Sequence, residues 1–129
     1  MDNSGLAIVT ILALIEYSVL GFMVGRARQK FGVAAPATTG NPEFERYFRV
    51  HQNTLESLIV FLPSLWIFAF AASYSIAVLL GLAFIVGRAI YAAGYIQEPG
   101  KREAGAIVTF AANGILSIGA LIALIIRVL

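Results

Sequence analysis

The sequence predicts an all-α integral membrane protein, a bundle of four spanning helices, on three observations. Of 129 residues, 60% are hydrophobic and only 12% charged, whereas a soluble domain carries about 25% charged residues. The apolar residues gather into four runs of a length that suits a hydrocarbon core of roughly 30 Å. Between the runs stand polar stretches rich in Pro, Gly, Asn, Lys and Arg, the material of turns and helix starts. One domain, 1–129, with spans at about 5–25, 42–72, 76–96 and 104–128, accounts for the whole chain.

The first run, Gly5 to Gly25, carries a single charge, Glu16, and leads into Arg26, Arg28 and Lys30. Met-Asp-Asn-Ser-Gly at the start lacks the basic region of a signal peptide, so this run is expected to stay in the mature protein. Asn41-Pro42-Glu43 reads as a helix start, with Asn as N-cap, Pro at the first helical position and a carboxylate in the first turn. The apolar part that follows, Leu58 to Ala72, is too short to cross alone. The helix must therefore begin near Pro42, about 46 Å before its end at 1.5 Å per residue, with its polar half at headgroup level. Pro63 is a candidate bend. Ser73-Tyr74-Ser75 turns the chain into a third run, Ile76 to about Tyr95, apolar until Arg88. Gln97 to Glu103 forms the second polar loop, and Ala104 to Val128 the fourth run.

Seven of the nine basic residues lie in or near the loops between spans one and two and spans three and four. The positive-inside rule assigns both loops to the cytoplasm and both termini to the other side. The chain has no Cys and one His, which excludes a disulfide framework, a protein thiolate nucleophile and sulfur-ligated metal, and one His with seven scattered carboxylates argues against a protein-built metal site. The net charge of +2 comes from loop arginines and marks topology, not a nucleic-acid surface.

The polar residues form two stripes. Arg46, Arg49, Asn53 and Glu56 fall within roughly 80° on helix two, and Arg88, Tyr91 and Tyr95 within roughly 60° on helix three. Arginines and tyrosines ordinarily line membrane interfaces. Arg49, Asn53 and Glu56, however, run inward along one face, where ionisable groups face a bundle interior. Arginines beside one carboxylate, an amide and two phenols suit a small zwitterion with several carboxylates. Guanidinium forks take carboxylates, and Glu56 can take an ammonium. His51 lies opposite the stripe and reads as structural. Glu16 is either a proton-coupling carboxylate or one hydrogen-bonded within the bundle. Gly21 to Gly25 is a GxxxG that allows close packing, and Asn113 and Ser117 read as bonds to other helices.

Gly40-Asn41-Pro42-Glu43-Phe44-Glu45-Arg46, Arg49-Val50-His51-Gln52-Asn53-Thr54-Leu55-Glu56 and Gly87-Arg88-Ala89-Ile90-Tyr91-Ala92-Ala93-Gly94-Tyr95 resemble the MAPEG family, the membrane-associated proteins of eicosanoid and glutathione metabolism. With Glu98-Pro99-Gly100-Lys101-Arg102, the likeness is nearest to the type-three microsomal glutathione transferases. The resemblance implies a homotrimer that binds glutathione between subunits at the cytoplasmic face. Arg28, Arg49, Asn53, Glu56, Arg88, Tyr91 and Tyr95 would hold the tripeptide, Arg102 would face its sulfur, and a lipophilic electrophile would arrive from the bilayer. Gln29 stands where the leukotriene-forming branch has a second arginine, and Ser57 where it has an aromatic residue. Both departures weigh against leukotriene synthesis more than against glutathione transfer or hydroperoxide reduction. Two other functions compete: a non-catalytic lipid-binding member of the same family, and a small proton-coupled exporter that uses Glu16.

Overall fold

Asn41 starts the longest helix as its sequence predicts: the side-chain oxygen accepts from the backbone N–H of Glu43 and Phe44, both at 2.9 Å. These are two of the donors that a helix N-terminus leaves without intrahelical partners. A computed structural model describes residues 2–129. It contains α1 (Ser4–Phe31), α2 (Pro42–Ala71), α3 (Tyr74–Gln97) and α4 (Glu103–Val128), with a single 3-10 turn, Pro99–Arg102, leading into α4. All four helices are long and apolar enough to cross a membrane.

The observed bounds sharpen the expected ones. α1 continues past Gly25 to Phe31, so Arg26, Arg28 and Lys30 are helical. It stops where Gly32 takes a left-handed conformation at φ 68° and returns its N–H to the Arg28 carbonyl, a conformation that glycine adopts without steric cost. α2 passes through Pro63 without interruption. Ser73 caps α3 by accepting from the Ile76 N–H, so the link between α2 and α3 shrinks to two residues, Ala72 and Ser73.

α2 and α3 form the central pair; α1 packs on one side of them and α4 on the other. Between them the stacked rings of Phe61 and Phe84, 3.8 Å apart at 7°, anchor a core with Leu6, Val9, Leu58, Leu65 and Leu116. The outward surface is equally apolar: Phe110 is 83% exposed, Phe70 73% and Phe22 68%. Apolar faces on both sides are what a lipid-immersed helix requires. Burial of apolar groups then gives little drive between helices, and close packing and hydrogen bonds hold the bundle.

Arginines at both ends tie helices together through backbone carbonyls left open at helix C-termini. Arg46 donates to the Ile96 and Gln97 carbonyls at 3.3 and 3.0 Å, closing the end of α3. Arg127 does the same for α2, to Phe70 and Ala71 at 3.3 and 3.1 Å. His51 stacks on Tyr17, with centroids 4.3 Å apart, and sits against Gly21, where a Cβ would come within 3.0 Å of its Nε2. The Gly21–Gly25 pair thus allows close packing at Gly21 alone, since nothing lies near Gly25.

Candidate functional site

Three glycines bring α3, the 3-10 turn and α4 into contact. A Cβ on Gly105 would run into the backbone of Tyr91, one on Gly94 into the Lys101 carbonyl, and one on Gly87 would lie 2.8 Å from Val108. Because no side chains intervene, the 3-10 turn folds back on the end of α3. There the Arg102 guanidinium lies over the Tyr95 ring at 5.6 Å, a cation–π arrangement.

The result is a polar cavity of about 430 Å³ lined by Arg49, Gln52, Asn53, Glu56, Tyr91, Tyr95 and Arg102. Six of the eight expected site residues therefore share one recess. Arg49, Glu56 and Arg102 are exposed, Asn53 and Tyr95 half-buried, and Tyr91 buried. Among the described residues, Arg49 and Glu56 make no side-chain hydrogen bond or ion pair, and Arg102 has only its ring contact. The one ion pair among the described residues, Lys101 with Glu98 at 3.9 Å, is exposed on both sides. Two cations and one anion thus face the recess with their charges available to a ligand.

Arg88 stands behind this wall and does not line it. The side chain is 1% exposed. Its Nη2 donates to Asn53 Oδ1 and Thr54 Oγ1, both at 2.9 Å, and Nη1 reaches Thr109 Oγ1 at 3.5 Å. The guanidinium lies 4.2 Å from the Tyr91 ring centre. Arg88 thereby sets the Asn53 amide and braces Tyr91. With Oδ1 held, the amide has its N–H donors left for other partners.

Arg28 is placed elsewhere. Its Nη1 donates to the Ala37 carbonyl at 2.7 Å and the Val33 carbonyl at 3.4 Å, and the guanidinium lies over Phe44 at 4.9 Å. Within one protomer it folds the α1–α2 loop and is not part of the recess. Gln52 is a lining residue absent from the sequence-based set. The signal for it was present: it lies about 60° from Arg49 around α2, on the edge of the same stripe.

Two further recesses adjoin the first. An outer one of about 650 Å³ shares Arg49 and Tyr95 and extends to Thr38, Thr39, Glu45, Arg46 and Pro99. A deeper one of about 290 Å³ shares Asn53, Tyr91 and Arg102, has Arg88 in its lining, and continues between α2 and α4 along Ser57, Thr109, Phe110 and Asn113. Asn113 Nδ2 donates to the Ser57 carbonyl at 3.2 Å, bonding α4 to α2 as expected, whereas Ser117 Oγ donates to the Asn113 carbonyl of its own helix at 2.7 Å and bonds no other helix. A polar chamber with Arg102 at its junction to a cleft between helices can hold a charged, water-soluble molecule beside a second one from the bilayer. No group of residues that could hold a metal ion occurs among those described.

Comparison with known proteins agrees with this layout. The MAPEG family model matches residues 6–122. An uncharacterized protein of Synechocystis sp. is 48% identical over 119 residues, which cover 92% of this chain and 87% of that protein. Human microsomal glutathione S-transferase 2 is 42% identical over 100 residues, 78% of this chain and 68% of its own length. Bovine leukotriene C4 synthase is 36% identical over 99 residues, 77% and 66% of the respective chains. The two named relatives come from the type-two and leukotriene branches, so the narrower likeness to the type-three transferases is one of motifs. A family match across all four helices, on a bundle whose polar recess gathers the expected side chains, shows that the chain belongs to the MAPEG family.

Proposed function

We propose that the recess binds glutathione and that the protein is a membrane-bound glutathione transferase, acting on lipophilic electrophiles or reducing lipid hydroperoxides. The observation that carries this reading is the charge pattern of one cavity. The cavity offers a guanidinium, Arg49, for a glutathione carboxylate, the Glu56 carboxylate for its ammonium, and a second guanidinium, Arg102, for its sulfur. The Asn53 amide, Gln52 and the Tyr91 and Tyr95 hydroxyls supply neutral hydrogen bonds for the peptide groups. The names of the transferase relatives support the same substrate.

Arg102 is the residue we assign to the sulfur. A free thiol has a pKa of about 8.5, and an adjacent guanidinium favours the thiolate, which is the nucleophile. Arg102 lies where the polar chamber meets the cleft between α2 and α4, so a thiolate beside it faces whatever enters from the bilayer. In transfer, the thiolate forms the carbon–sulfur bond as the electrophile's leaving group departs or its double bond takes up the electron pair. In peroxidase chemistry, the thiolate breaks the O–O bond of a hydroperoxide and releases the alcohol. A second glutathione then gives the disulfide and water. Holding both reactants in register lowers the barrier further.

The recess is open on one side, with Arg49, Glu56 and Arg102 exposed and Arg28 turned away from it. A homotrimer in which a neighbouring copy closes the cavity, with the site at the cytoplasmic face, is our reading of that opening and of the basic loops beside it. The test is binding and turnover by the protein purified in detergent. Calorimetry is expected to show one glutathione site that is lost in Arg49→Ala, together with conjugation of an aromatic halide. Absence of glutathione binding contradicts the reading; binding without turnover of halides or hydroperoxides favours the non-catalytic alternative.

A further inference from the structure

Arg88 poses a problem of charge. It is a guanidinium inside a membrane bundle, and the groups that hydrogen-bond to it, Asn53, Thr54 and Thr109, are all neutral. A buried charge without a counter-charge is among the costliest arrangements a bundle can hold. Its Nε–H also has no hydrogen-bond partner. On the neighbouring helix, Glu16 presents the complementary defect: a buried carboxylate oxygen, Oε1, without a partner.

The two groups lie at the same level. α1 and α3 run in the same direction across the bundle. A Cβ on Gly81 of α3 would run into the Val9 side chain of α1, and seven residues on from each stand Arg88 and Glu16. One turn after Glu16, Leu20 belongs to the cluster of Tyr91, one turn after Arg88. Glu16 and Arg88 therefore stand at matching positions along two packed, parallel helices. No direct ion pair forms between them, yet each carries a buried polar atom without a hydrogen-bond partner.

We infer that Glu16 is the counter-charge of Arg88, and that through Arg88 it is a positioning residue for the Asn53 and Tyr91 wall of the recess. The glutathione part of this inference rests on the function proposed above; the pairing does not. It also gives Glu16 a role that needs no proton transport. A lone carboxylate in a first span is what an exporter would use. Here its charge is directed at an arginine that organises a binding site on the far side of α3.

The experiment is a double-mutant cycle on the detergent-purified protein, read in thermal midpoint and in glutathione affinity. Glu16→Gln is expected to lower the midpoint by several degrees in the parent background and to leave it nearly unchanged in an Arg88→Met background. If Arg88→Met does not fold, Arg88→Gln serves in its place. In the parent background, Glu16→Gln is also expected to raise the KM for glutathione about tenfold with kcat changed less than about twofold, the pattern of weakened substrate binding, and Glu16→Asp to recover part of the loss. Equal destabilisation in both backgrounds overturns the pairing. A lowered midpoint with an unchanged KM overturns the positioning role. If the parent binds no glutathione, the functional reading fails, while the stability cycle still decides the pairing.

Discussion

Arg88 Nη2 donates to Asn53 Oδ1 at 2.9 Å, a bond from α3 to α2 that decides which end of the amide the recess meets. With its oxygen held by a buried guanidinium, Asn53 is turned so that its N–H donors are left for a ligand. Arg88 also lies against the face of Tyr91, so one residue behind the first recess orients two that line it.

Asn53→Asp separates these roles. A carboxylate at this position should pair with Arg88 and keep the fold intact, while its second oxygen presents negative charge to a ligand rich in carboxylates. We expect the thermal midpoint to hold or rise and glutathione affinity to fall by at least about tenfold, or 1.4 kcal/mol. Asn53→Ala should lower both, because it leaves the Arg88 donor without its acceptor. Calorimetry beside thermal unfolding checks the contrast.

Gly105→Ala tests how Arg102 is placed. The added Cβ meets Tyr91 backbone, which cannot swing aside as a side-chain end can, so α4 and the 3-10 turn must move away from α3. Overpacking of this kind costs about 1–3 kcal/mol. Turnover is expected to fall more steeply than glutathione affinity, because Arg49, Asn53 and Glu56 sit on α2. Steady-state kinetics that split kcat from KM provide the measurement.

His51→Ala should behave in the opposite way. The ring stacks on Tyr17 and faces Gly21 of α1, away from the recess. Loss of the pair is expected to cost roughly 0.5–1.5 kcal/mol beyond the lost packing, seen as a lower midpoint, with glutathione affinity and turnover per folded protein unchanged.

The helices were legible because a membrane chain writes them in long apolar runs, and the start of α2 because Asn41-Pro42-Glu43 supplies a cap, a fixed φ and a favourable charge in consecutive positions. The stripe Arg49–Asn53–Glu56 was legible from helical periodicity alone. What periodicity does not carry is depth. Arg88, Tyr91 and Tyr95 share a face of α3, yet Arg88 lies behind the wall and Tyr95 in it, a difference set by how closely Gly94 and Gly105 let the 3-10 turn and α4 approach. Arg28 shows the same limit at a loop. Its level along α1 was predictable, but its direction depends on carbonyls at Val33 and Ala37 that only the folded loop presents. Family resemblance named Arg102 as the residue facing the sulfur; its place over Tyr95 comes from the fold.

The central claim, that Arg102 stabilises a glutathione thiolate at the mouth of the cleft between α2 and α4, is tested most directly by titrating the ultraviolet thiolate band of bound glutathione. A guanidinium beside the sulfur lowers the thiol pKa, so the band should be present at neutral pH and disappear only as pH falls through the lowered value. In Arg102→Ala the midpoint is expected to rise by about one to two units toward the free-thiol value near 8.5, with glutathione still bound through Arg49, Asn53 and Glu56. A midpoint that stays the same in parent and Arg102→Ala, with glutathione bound to both, would contradict the account.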